Sequence, residues 1–124
     1  MITALAVDDN PLALRLTRML LERDGHRVIA LARWSDVFPA LFEQDIDVAF
    51  IDVNMPGLGG DRLLQVVRAT DRGRLLPCIL VSTLPQDVLA EKARAAGADG
   101  WIQKPLTGDS VRGELRRVCK PVAK

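Results

Sequence analysis

The sequence predicts an α/β protein, a five-stranded parallel sheet covered by helices on both faces. Two observations predict it. Five short apolar, branched runs recur along the chain, at residues 2–7, 26–32, 47–53, 78–83 and 100–103, and each is followed by a stretch of helical periodicity. The central runs are nearly unbroken in apolar character, as strands buried on both faces are. With 124 residues, 48% hydrophobic and 27% charged, the chain is expected to fold as one domain that needs no disulfide or metal to complete its core.

The first helix has the clearest signals. Asn10 is placed to cap it and Pro11 to open its first turn, Ala13, Leu16 and Leu20 share one face, and Gly25 marks its end. A second helix is expected from Ser35, with Pro39 in its first turn and Phe38 and Phe42 toward the sheet. Trp34 is expected to cap the second strand. The third helix follows the glycine-rich loop 57–60 and turns Leu63, Leu64 and Val67 inward, and the fourth runs from Pro85 to Ala96 and stops at Gly97. The fifth starts at Thr107 and buries Val111, Leu115 and Val118, although Gly113 in its interior weakens it by ~1 kcal/mol relative to Ala. Residues 121–124 read as a loose tail.

Lys plus Arg (17) nearly balance Asp plus Glu (16), so no overall field draws the chain to nucleic acid or an anionic membrane. Arg112, Arg116 and Arg117 read as a solvated helix face, since no recognition pattern accompanies them. Cys78 and Cys119 are too few and too far apart for a disulfide framework or a zinc cluster. No apolar stretch approaches the ~20 residues that span a bilayer, no secretory leader is evident, and a cytoplasmic location is expected.

In an open α/β sheet, ligands bind beyond the carboxyl ends of the strands. There the runs close on polar residues: Asp8 and Asp9, Asp52, Ser82 and Thr83, and Lys104. Any one acid at a strand end is most simply a cap or a turn residue. Three together are not, because two carboxylates ~4 Å apart repel by roughly 4 kcal/mol at an effective dielectric of 20 and need a cation or a proton beside them. A set of carboxylates suits a hard divalent cation such as Mg²⁺, and a metal beside an amine and a hydroxyl suits a phosphoryl group. His26, at the far end of its strand, is given no part.

Asp8-Asp9, the Asp52-Val53-Asn54-Met55-Pro56 run with Gly60 after it, Ser82, and Gly97-Ala98-Asp99 followed by Lys104-Pro105 together resemble the receiver domain of bacterial two-component response regulators, in particular its single-domain, chemotaxis-regulator-like members. The resemblance spans the chain in order and places residues 1–120 in one receiver domain. It implies a flavodoxin-like (βα)5 fold with strand order 2-1-3-4-5, and a cis peptide before Pro105. It also implies that Asp52 accepts a phosphoryl group from a phosphohistidine on a sensor histidine kinase or a histidine phosphotransfer protein. Asp9, Asp52 and the main-chain carbonyl of Asn54 would ligate Mg²⁺, with Asp8 contacting it through water. Lys104 and Ser82 would bond the phosphoryl group, with Ser82, Thr83 and Trp101 forming a switch read by a downstream protein on the face of helix 4, strand 5 and helix 5. Thr83 stands where a small Ala is more usual, and its branched side chain is expected to narrow access to Asp52.

On this reading the chain is a signalling phosphoacceptor rather than an enzyme, with slow self-phosphorylation from small donors and slow loss of the phosphate. Two rivals are kept open. One is a docking module of the same fold that is never phosphorylated; the other is a Mg²⁺-dependent phosphohydrolase with Asp8 as nucleophile, although such enzymes resemble D-x-D where Asp8 and Asp9 are adjacent.

Overall fold

Each apolar run forms a strand in the computed structural model, which describes residues 1–119. The tail expected at 121–124 lies outside the described residues. Strands β1 (Thr3–Val7), β2 (Arg27–Leu31), β3 (Val48–Asp52), β4 (Cys78–Ser82) and β5 (Gly100–Gln103) pair in parallel in the order β2-β1-β3-β4-β5. This is the arrangement that the family resemblance implies. Every residue of β3 and β4 is buried, whereas the edge strands β2 and β5 are only partly so. The most apolar runs thus occupy the middle of the sheet, where both faces are covered.

Alternation along the strands divides the core in two. Leu5, Val7, Ala49, Ile51, Cys78 and Leu80 meet helices α2 (Val37–Glu43), α3 (Gly60–Arg68) and α4 (Gln86–Ala96) on one face. Ala4, Ala6, Val48, Phe50, Ile79 and Val81 meet α1 (Pro11–Arg23) and α5 (Gly108–Val118) on the other. Asn10 caps α1 by accepting from the Leu12 and Ala13 N–H groups, and Thr107 and Ser110 form a reciprocal capping box on α5. Gly97 ends α4 with a φ of 80°, a left-handed conformation that favours glycine.

The second helix departs from expectation. A 3₁₀ turn over Trp34–Asp36 precedes α2, which starts at Val37. The change of pitch rotates the helix by about one residue, so Val37, Ala40 and Leu41 are its buried positions. Phe38 packs partly against the core, but Phe42, expected toward the sheet, is 75% exposed. Nor does Trp34 cap β2: its indole lies over Gly57, where a Cβ would come within 3.2 Å of Trp34 Nε1. None of the helices is long and apolar enough to cross a membrane, among the described residues.

Candidate functional site

The carboxyl edge of the sheet collects the polar residues that close the strands. Topology does most of this work, because β1 and β3 are neighbours at the centre of the sheet and bring Asp8 and Asp9 beside Asp52. Carboxylate oxygens from all three lie within 4.8 Å of one another. Asp8 and Asp52 are buried and Asp9 is exposed. The backbone fixes Asp8: its Oδ1 accepts from the Asn10 N–H at 3.0 Å, the same residue that caps α1.

Asp52 is held as firmly. Beyond it the Val53 N–H donates to the Val81 carbonyl at 3.0 Å, and the Gly60 N–H donates to the Val53 carbonyl at 2.8 Å. The start of α3 therefore lies directly on the end of β3. A Cβ at Gly60 would come within 2.0 Å of the Asp52 carbonyl oxygen, so only glycine fits that approach. Gly57, in the loop between them, has a φ of 86°. Met55 is buried against the core, and Asn54 is exposed.

Lys104 reaches the acids from the far side of β4. Its Nζ lies 2.7 Å from Asp8 Oδ2 and 3.1 Å from Asp52 Oδ1. The contact with Asp52 is a hydrogen bond, whereas the ammonium is out of line with Asp8 Oδ2, which has no aligned donor. The peptide between Lys104 and Pro105 is cis.

Three carboxylates thus face one ammonium. Burial and the charge of Asp8 push the Asp52 carboxyl up to about 6, against the opposing pull of Lys104 and the Asn54 N–H. Burial works against the charge of Lys104, but its close contacts with the carboxylates of Asp8 and Asp52 outweigh that and raise its pKa. A buried carboxylate oxygen without an aligned donor, in a cluster of hard oxygen ligands with excess negative charge, is a donor set that fits a divalent cation such as Mg²⁺.

Ser82, fully buried at the end of β4, accepts from the Leu84 N–H at 3.1 Å and keeps its own proton free to donate. Thr83 is exposed at the rim. Trp101 is half-buried on β5, packed against the α2–α4 side of the core, and borders a groove of about 500 Å³ between α4 and α5. Asp8, Asp9, Asp52 and Lys104 are brought into direct proximity, while Trp101 lies on the lateral face of the sheet.

Two residues on this edge were not among the expected site residues. Trp34 covers Gly57 in the loop after Asp52, and Gln103 donates from its side-chain amide to the Leu84 carbonyl at 3.1 Å. A lone amide closing an otherwise apolar strand was the available sign of the second. The first depends on how the 3₁₀ turn folds back.

Comparison with known proteins agrees on one lineage. The family model for the response regulator receiver domain matches residues 4–116. The transcriptional regulatory protein AfsQ1 of Streptomyces coelicolor is 30% identical over 116 residues, covering 94% of this chain and 50% of that protein. The chemotaxis protein CheY of Pseudomonas aeruginosa is 32% identical over 120 residues, 95% of this chain and 96% of that one. Among solved structures, the Vibrio cholerae chemotaxis protein CheY4 superposes with a TM-score of 0.87 at 27% identity, covering 95% and 98% of the two chains. The chain spans half or less of several curated relatives, 50% of AfsQ1 and 12% of the sensor protein GacS of Pseudomonas syringae.

Proposed function

Because the chain belongs to the response regulator receiver domain family and is thus a receiver domain of two-component signalling, we propose that Asp52 is its phosphoacceptor, charged by a histidine kinase or a histidine phosphotransfer protein. The observation that carries this reading is the buried Asp52 carboxylate at the end of β3, with Lys104 at 3.1 Å and the carboxylates of Asp8 and Asp9 beside it. An oxygen of Asp52 attacks the phosphorus of the phosphohistidine. The O–P bond forms as the P–N bond breaks, and the imidazole leaves with the bonding electron pair and takes a proton from solvent. Water later attacks the acyl phosphate, releasing phosphate and restoring the carboxylate.

The residues around Asp52 supply positioning and charge, which are most of what phosphoryl transfer asks of a protein. Asp8, Asp9, Asp52 and the carbonyl of Asn54 would hold Mg²⁺. When bound, the ion neutralises and orients the phosphoryl oxygens. Lys104, already between Asp8 and Asp52, pairs with the charge that the transfer brings. Ser82 donates its free hydroxyl proton to a phosphoryl oxygen, and Thr83 and Leu84 move with it. Half-buried Trp101 carries that movement to the surface of α4, β5 and α5, where a downstream protein reads it. A ligand shifts an equilibrium only by its differential affinity, so the phosphoryl group must bond better to the displaced loop than to the resting one.

Intact mass spectrometry after incubation with Mg²⁺ and acetyl phosphate tests the reading. The expected result is a gain of one phosphoryl group, absent in Asp52→Asn. No gain from acetyl phosphate or from a phosphorylated histidine kinase overturns it in favour of a docking module, and phosphate mapped to Asp8 favours a phosphohydrolase.

A further inference from the structure

The loop after β4 is tied by a single residue. Leu84 donates its N–H to Ser82 Oγ at 3.1 Å and accepts from Gln103 Nε2 at 3.1 Å through its carbonyl, so both of its backbone polar groups are engaged. Gln103 is the last residue of β5 and pairs directly with Ser82 across the sheet, and the next N–H, of Lys104, donates to the Ser82 carbonyl at 2.8 Å. The orientation of the amide is fixed by its partner, because a carbonyl can only accept and only Nε2 can donate. Between these fixed points Thr83 is exposed, and Leu84 is half-buried with its side chain packed against the core.

We propose that Gln103 is a positioning residue for Ser82, acting through Leu84: its amide holds the loop where the Leu84 N–H restrains the Ser82 hydroxyl, and so sets how readily that hydroxyl engages a group on Asp52. The inference rests on the phosphoacceptor reading of the site. To turn toward Asp52, Ser82 must either give up the Leu84 N–H or carry Leu84 with it. Carrying it breaks the bond from Gln103. That bond therefore opposes the displaced loop and favours the resting one, by the net worth of one neutral hydrogen bond, equivalent to about a two- to tenfold bias.

Gln103→Met keeps the length and bulk of the side chain and removes its donor. Two measurements on the intact chain test the proposal. Amide hydrogen exchange at Leu84, followed by NMR without Mg²⁺, should quicken about two- to tenfold in the variant while core amides of β3 and β4 are unchanged. With Mg²⁺ present, titration with beryllofluoride should show tighter binding by a similar factor. A merely structural tie would change global stability without changing this affinity. Unaltered exchange at Leu84, or faster exchange with unaltered or weaker beryllofluoride affinity, overturns the positioning role. A wild-type chain that binds no beryllofluoride, or an Asp52→Asn variant that binds it equally, overturns the phosphoacceptor reading instead, while exchange at Leu84 still reports on the tie itself.

Discussion

The two edges of the sheet handle charge in opposite ways. At the amino edge, Arg68 at the end of α3 donates to the carbonyls of Gly73 and Gly97 at 3.2 Å each, to the carbonyl of Leu76, and to Asp99 Oδ2 at 2.8 Å. Asp99 Oδ2 also accepts from the Cys78 N–H at 2.9 Å, and the Asp99 carbonyl accepts from Arg117. One guanidinium thus joins α3, the approach to β4 and the turn before β5, and its charge is met by a carboxylate. At the carboxyl edge three carboxylates cluster, only Asp8 and Asp52 touch the one ammonium, and a buried oxygen of Asp8 has no aligned donor. Both edges are made of strand ends and turns. The difference teaches that polar residues at the amino edge fasten the fold, while those at the carboxyl edge are held by the fold in an arrangement that costs it stability.

The largest effect should come from breaking the backbone support of the costly edge. Gly60→Ala places a methyl group against the Asp52 carbonyl and should destabilise the protein by about 3 kcal/mol in urea unfolding, with magnesium binding lost or much weakened. Next, Arg68→Met leaves the acceptors at the amino edge without their donor, and should cost about 2 kcal/mol while leaving the affinity for Mg²⁺ unchanged. An Arg68→Met variant as stable as the wild type would break the contrast between the edges.

The opposite sign is expected at Asp52. Its carboxyl is raised from 3.8 to about 6, so the folded state prefers it protonated. Ionising it therefore costs stability: the cost is absent below pH 3.8, grows as pH rises and is complete above about 6. Asp52→Asn should stabilise the Mg²⁺-free protein by about 1–2 kcal/mol at neutral pH, less than the full shift because the bond from Lys104 is weakened. The gain should fade as pH falls from 6 toward 4. Magnesium should narrow or close this gap, stabilising the wild type by about 1.4 kcal/mol at ten times its Kd and the variant far less. The smallest effect concerns neither edge. Gly113 in α5 has open space where a Cβ would stand, and Gly113→Ala should add about 0.5–1 kcal/mol to the midpoint stability without altering magnesium affinity.

Much of this architecture was legible in the sequence, because it is written in local signals. The strands follow from unbroken apolar runs, α1 from Asn10 and Pro11, and the end of α4 from Gly97. The acids and Lys104 were legible as candidates because each closes a strand, and a parallel sheet puts all such closures on one edge. What was not legible is tertiary. A 3₁₀ turn displaced the phase of α2 and turned Phe42 outward, which no periodicity in the residues themselves signals. The clasp of Arg68 joins residues as far apart as 68 and 99, and the tie of Gln103 to Leu84 depends on two strands being neighbours.

Lys104 has one more consequence, for the order in which the chain is made. It is the sole cation in contact with Asp8 and Asp52 among the described residues, and it stands at the end of the last strand, two places along the sheet from Asp52. Synthesis runs from the amino terminus, so the acids emerge well before their counter-charge. Until β5 docks, the cluster is a bare concentration of negative charge on an unfinished sheet. The assembled pocket is therefore a property of the completed chain alone, and a ribosome-bound or truncated copy ending before Gly100 would lack it.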